Sequence, residues 1–130
     1  MKFSLRWLKQ AEADFDAAQD SLKSEHFEWA CFQAQQAAEK ALKAFLYSQG
    51  LRALITHSVA ELLVEAQKYA SFDIPLKYAK ALDSFYIPTR YPNGLPGTSF
   101  PAHYYSKEDA ELCISYAELT LKSVKKYIKS

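Results

Sequence analysis

FEWACFQAQQAAEKALKAFLY, residues 27–47, decides how this chain folds. Set on a helix at about 100° per residue, Phe27, Ala30, Cys31, Ala34, Ala38, Ala41 and Phe45 fall along one face. Alanine fills the middle of that face. Small side chains let a neighbouring helix approach closely, and alanine is the best intrinsic helix former. The stretch predicts a central helix, with Gly50 just past the last periodic residue as its C-terminal stop. The opposite face gathers Trp29, Phe32, Gln36, Lys40, Lys43 and Tyr47. A solvated face rarely carries Trp and Phe beside Gln and Lys, so this one predicts cover by another layer of the domain or by another molecule.

Working outward, Trp7 or Leu8, then Ala11, Phe15, Ala18 and Leu22 alternate in steps of three and four, a long amphipathic helix over 3–23. Polar KSEH makes a short connection to the central helix. On the other side, Thr56 or Ser58 serves as N-cap for a third helix that continues to Tyr69. SFDIP breaks it, and LKYAKALDSFY adds another helical turn or two before Pro88. Ser106 followed three residues later by Asp109 resembles a capping box with Asp in place of Glu or Gln. The last helix follows, with Ala110, Cys113, Ala117, Leu121, Val124 and Ile128 at heptad-like spacing. No segment shows strand alternation, and there is no internal repeat or low-complexity tract. Short connections between the first helices favour antiparallel neighbours. The expectation is one all-α domain, 1–130, an up-and-down bundle of four to five helices with one long Pro/Gly-rich loop before the last helix.

The chain's 130 residues suffice for a modest core without disulfides or metals. No apolar run approaches the ~18 residues of a membrane span. The N-terminus turns acidic and amphipathic too soon for a signal peptide, which predicts a cytoplasmic protein. A net charge of +1 leaves no global field to attract nucleic acid. The densest basic run, Lys122, Lys125, Lys126 and Lys129, reads as lysines complementing the dipole of the last helix. Cys31 and Cys113 each sit on an apolar stripe and read as reduced, buried small hydrophobes. With no CxxC and no clustered His, neither a metal nor a cofactor is expected. Nine Tyr, eight Phe and two Trp exceed what a small bundle core needs, and so hint at an interface or a stacking site.

Residues 89–105, TRYPNGLPGTSFPAHYY, are unlike the rest. Four of the five prolines and two of the three glycines fall between positions 88 and 101. Pro88 and Pro92 restrict the chain around Arg90 and Tyr91, which pre-positions them. An Arg fork holds phosphate or carboxylate in bidentate fashion, and Tyr91 offers a face on which a base stacks. Lys40 and Lys43, one helical turn apart, would add point charges if the loop folds back over their face. The competing reading pairs Arg90 with an internal carboxylate, Asp14 or Glu39. NGLPG is no phosphate loop, since it lacks the preceding strand and the following lysine.

Taken together these blocks resemble a known family. FQAQQAAEKALKAFL (Phe32–Leu46), THSVAELL (Thr56–Leu63) and TRYP (Thr89–Pro92) are similar, in order and spacing, to three signature blocks of the HEPN domain family. Asp14 within a Trp- and Ala-rich first helix also fits, as does Tyr105 followed by Asp109-Ala110 at the entry to the last helix. The resemblance implies a four-to-five-helix bundle, usually a homodimer. It implies, in many prokaryotic members, a helical partner of a small nucleotidyltransferase encoded beside it. Some members act as toxins in toxin–antitoxin pairs, and certain groups are metal-independent ribonucleases built on an Arg-x(4–6)-His motif near the last long helix.

Metal-free RNA cleavage needs a base for the 2′-hydroxyl and a cation for the phosphorane charge. Twelve residues separate Arg90 from His103, which is not that spacing. Arg52-Ala-Leu-Ile-Thr-His57 has it, but lies where the family carries a different block. His57 also reads as a helix-start histidine bonded to a carbonyl or carboxylate, and His103 as a solvated loop residue. The first expectation is therefore a non-catalytic subunit that binds nucleotide or RNA phosphate through Arg90, Tyr91, Lys40 and Lys43. It would dimerise through Trp29, Phe32, Gln36 and Tyr47. The alternatives are a ribonuclease using Arg90 or Arg52 with His57 or His103, and a purely structural dimerisation module.

Overall fold

The computed structural model describes residues 2–128, and among them six α-helices and no strand: α1 (Lys2–Lys23), α2 (Phe27–Ser48), α3 (Val59–Ala66), α4 (Leu76–Asp83), α5 (Pro101–Tyr104) and α6 (Lys107–Lys125). The all-helical expectation holds. Lys129, the last of the basic run, lies outside the described residues.

A tight turn joins α1 to α2, with Glu25 in the left-handed region at φ 61°. The two helices run antiparallel, as the pairing of Trp7 with Tyr47 and of Asp14 with Lys40 requires. The alanine seam of α2 is the centre of the molecule: Ala30, Ala34, Ala38 and Ala41 are wholly buried, as are Ala11 and Ala18 of α1 and Ala110 and Ala117 of α6. Side chains this small bring three helix backbones close together. α6 runs in the same direction as α2, because Cys113 lies beside Cys31 and Tyr127 packs on Phe45. The α1–α2 pair is simply up and down, and α4 turns back on α3 so that its end meets the start of α3; the chain then reaches the start of α6 through the loop.

Phe45, Phe72 and Tyr127 close one end of the core with ring centroids 4.9–5.7 Å apart. Tyr78 of α4 stacks on Tyr116 of α6 at 4.0 Å. Cys31 and Cys113 are free and buried. The Ser106–Asp109 capping box forms as read, with both reciprocal bonds present. Lys122 and Lys125 lie in the last turn of α6, and Lys125 also reaches Glu12 of α1 at 2.8 Å. No described helix is long and apolar enough to cross a membrane.

Two helices end earlier than their periodicity suggests. α3 stops at Ala66 because the Gln67 side chain pairs in both directions with the backbone of Phe72, closing the chain reversal. α4 stops at Asp83, and Phe85 and Tyr86 continue only as tighter i→i+3 turns ahead of Pro88. The loop itself is partly ordered into a 3-10 turn, Pro92–Gly94, and the single helical turn of α5. Gly94 suits a close approach there: a Cβ on it would lie 3.1 Å from the Cα of Pro88, and the turn would have to give by a few tenths of an ångström to take it.

Candidate functional site

The site is built where the end of α4 meets the start of α2. Thr89 is buried and its hydroxyl donates to the carbonyl of Phe85, which locks the turn that follows α4. Arg90, next in sequence, is half-buried and donates from Nε to the carbonyl of Tyr86 at 3.0 Å. Its guanidinium carbon lies 4.5 Å from the ring centre of Phe32, 4.7 Å from that of Tyr86 and 5.2 Å from that of Tyr91. Trp29 meets Phe32 edge-on at 6.2 Å. Three aromatic faces therefore hold the cation in place.

No carboxylate among the described residues neutralises it. Asp14 is taken by Lys40 at 2.6 Å, and Glu39 by Lys43 at 3.0 Å and His57 at 3.3 Å. Among the described residues Arg90 has no ion pair, and its terminal amino groups make no hydrogen bond. A half-desolvated, unneutralised guanidinium is the chemistry of an anion site.

Tyr86 is the hinge of the arrangement. Its ring also stacks on His57, at 5.1 Å and 17° between planes. His57 is half exposed, and its Nδ1 faces the carboxylate of Glu39, whose side chain is buried. Behind it, Gln35 donates to the His57 carbonyl at 2.9 Å, and Gln36 donates to Gln35 and to Glu39. Asp83 accepts from the Ser58 hydroxyl at 2.7 Å and from the backbone N–H of Val59 and Ala60, so it caps α3 from the end of α4. Thr56, His57, Ser58, Asp83 and Tyr86 line an open cavity of ≈ 310 Å³. Among the described residues no group of three or more His, Cys, Asp or Glu is placed to hold a metal.

Two titrating groups nearby are held neutral. Burial pushes the Tyr105 hydroxyl up to about 12, with smaller contributions from Cys31, Tyr104, Asp109 and Cys113. The hydrogen bond with Cys31, and then burial, push the Cys113 thiol upward. Neither is an anion at neutral pH.

The structure brings together Arg90, Tyr91, Phe32 and Trp29, and links them to His57 through Tyr86. It does not bring in the other candidates. Lys43 is buried and reaches the cluster only through Glu39. Lys40 is committed to Asp14. His103 sits exposed on α5, its ring against Phe100. Arg52 lines a different cavity with Phe3 and Tyr47, so the Arg52–His57 spacing does not converge on one site. The aromatic face of α2 is split: Phe32 is covered by Tyr86 and Arg90, and Tyr47 by Phe3 and Trp7. Tyr86 and Asp83 were not legible as site residues. Asp83 had one signal, a carboxylate at a helix C-terminus, where it opposes the dipole unless it serves something else.

A family model, HEPN domain, matches residues 4–127. The chain belongs to the HEPN domain family. The HEPN assignment is supported by solved structures. TT1696 from Thermus thermophilus is 36% identical and superposes with a TM-score of 0.86 over 98% of this chain and 100% of its own. ST0689, an archaeal HEPN homologue, is 36% identical with a TM-score of 0.77 over 97% and 98%. A HEPN domain protein of Thermotoga maritima is 30% identical with a TM-score of 0.69 over 93% and 95%. A protein of Methanocaldococcus jannaschii named "Putative toxin MJ1304" is 28% identical over 137 aligned positions, covering 99% of this chain and 90% of that protein.

Proposed function

We propose that this HEPN protein is a cytoplasmic, non-catalytic subunit that binds nucleotide or RNA phosphate at Arg90. In this reading it is the helical partner of a separately encoded nucleotidyltransferase in a toxin–antitoxin pair. The observation that carries the reading is the Arg90 guanidinium, stacked among Phe32, Tyr86 and Tyr91 with no carboxylate partner among the described residues. An anion meets the free edge of the fork, and Tyr91, 49% exposed, offers a base its face. Lys40 and Lys43 take no part, being ion-paired within the chain. Trp29, 45% exposed beside Phe32, is the natural centre of a homodimer contact on α2. The toxin name of the M. jannaschii relative supports the toxin–antitoxin setting. A purely structural role leaves the unneutralised charge of Arg90 without a purpose.

The test is thermal unfolding with ATP, GTP, CTP and UTP. At a hundredfold its dissociation constant a ligand stabilises the fold by ~2.7 kcal/mol, several degrees for a domain of this size. The shift is expected in the wild type and clearly smaller in Arg90→Ala. A shift of equal size in both proteins, or none in the wild type, overturns the reading.

One observation favours a second reading, a metal-independent ribonuclease toxin. A hydrogen bond from His57 Nδ1–H to buried Glu39 leaves Nε2 as the ring's acceptor, a general base for a 2′-hydroxyl, with Arg90 on the same tyrosine to hold the phosphate. That reading requires RNA cleavage in EDTA that is lost in both His57→Ala and Arg90→Ala and kept in His103→Ala. Cleavage that survives His57→Ala excludes it.

A further inference from the structure

A second aromatic and basic surface lies at the other end of α2. Tyr47 is fifteen residues along the helix from Phe32, about 22 Å at the helical rise. Two open cavities meet there at Phe3. One, of ≈ 610 Å³, is walled by Phe3, Tyr47, Arg52 and Ala53 among others; the second, of ≈ 500 Å³, by Phe3, Arg6, Trp7 and Lys40 among others. Among the described residues no carboxylate lines either one. Lys40 is spent on Asp14, but Arg6 and Arg52 are exposed and have no ion pair among the described residues.

The aromatic floor is preassembled. Phe3 meets Tyr47 edge-on at 4.9 Å, Trp7 lies 5.3 Å from Tyr47, and Phe3 is 54% exposed. Left-handed backbone at Gly50, φ 93°, and at Ala53, φ 58°, bends the chain after α2 and sets Arg52 at the rim. The Cβ of Ala53 disfavours that conformation, which glycine adopts freely, so the bend is held against local preference.

We infer that this groove binds a nucleotide unit of a single nucleic-acid strand, with a base against Phe3 and Tyr47 and phosphates on Arg52 and Arg6. The charge argues for an anion, since every charged side chain lining the groove among the described residues is cationic. The exposed rings argue for a flat partner, which an acidic peptide lacks and a base supplies. Two cavities joined at one ring match successive nucleotides of a strand. The inference uses none of the residues of the Arg90 site and stands without it.

Trp7 is the reporter. Trp29→Phe leaves it the chain's only tryptophan, and its emission is titrated with tetrauridylate RNA and, separately, with uridine monophosphate. Saturable quenching is expected, with affinity reduced at least about tenfold in Arg6→Ala/Arg52→Ala and unchanged in Arg90→Ala. The double variant also lowers the salt slope of strand binding by about 1.4, two phosphate contacts' worth. Tighter binding of the tetranucleotide assigns the groove to a strand, and equal affinity for the monophosphate overturns the strand and leaves a single-nucleotide site. No saturable change with either probe, or loss of quenching in Arg90→Ala rather than in the double variant, overturns the inference. Both arginines are exposed, and an unfolding midpoint unchanged from the Trp29→Phe background confirms that the double variant is folded.

Discussion

Arg90 grips Tyr86 twice, donating from Nε to its carbonyl at 3.0 Å and laying its guanidinium 4.7 Å from the centre of its ring. One residue thus fixes both the height and the tilt of the cation. A lysine keeps the charge but has no planar group to stack and no Nε–H set back along the stem to hold the Tyr86 carbonyl. Arg90→Lys is expected to lower unliganded stability by about 1 kcal/mol and to remove more than half of the nucleotide-dependent rise in melting midpoint. Thermal melts with and without nucleotide measure both. A full ligand response in Arg90→Lys would show that charge alone suffices.

Asp83 ties the end of α4 to the start of α3 through three hydrogen bonds. Ala in its place leaves the first N–H groups of α3 with the Ser58 cap alone. Urea unfolding of Asp83→Ala is expected to show a loss of about 1–3 kcal/mol, and Asp83→Asn, which keeps an acceptor, a smaller one. Equal losses in the two variants would mean that the charge, and not the hydrogen bonding, matters.

The Lys43–Glu39 pair is buried on both sides, each side chain only 4% exposed. Removing the cation strands a carboxylate in the interior with only the Gln36 amide and His57 facing it. Lys43→Met is expected to destabilise the fold by about 3–5 kcal/mol, and adding Glu39→Gln to recover most of it. Chemical denaturation of the single and double variants gives the coupling directly. Additive losses would contradict it.

Tyr105 links stability to alkaline pH. Burial raises its hydroxyl from the ordinary 10.0 to about 12 in the folded protein, so the folded state holds this proton more tightly than the unfolded chain does. The contribution is whole below pH 10 and is lost as pH rises from 10 through about 12. Urea midpoints between pH 9 and 12 are expected to fall less steeply in Tyr105→Phe than in the wild type. Identical profiles would show that Tyr105 does not carry this linkage.

The helices were legible because each one records its own burial. The alanine seam of α2, the three-four spacing of α1 and the Ser106–Asp109 cap are all local patterns, and all three appear in the fold. Periodicity overextends the ends of α3 and α4, since Gln67 reaching Phe72 and the tighter turns before Pro88 are not periodic features. At the site, the prolines around Arg90 and Tyr91 single those two out, whereas nothing local marks Tyr86 or Asp83 in the same way. Tyr86 reads as the tail of a helix, and its value comes from what packs on either side.

The sequence by itself determined an all-helical chain, its long helices and the family to which it belongs, because helical periodicity and short motif blocks are read one segment at a time. Only the tertiary structure decided the state of each charge. Asp14, Glu39, Lys40, Lys43 and Arg90 come from α1, α2 and the loop, and any opposite pair among them could have formed. Packing set Lys40 against Asp14 and Lys43 against Glu39, and left Arg90 among aromatic rings. Which charge stays free depends on distances across helices, and such distances exist only after the chain has folded.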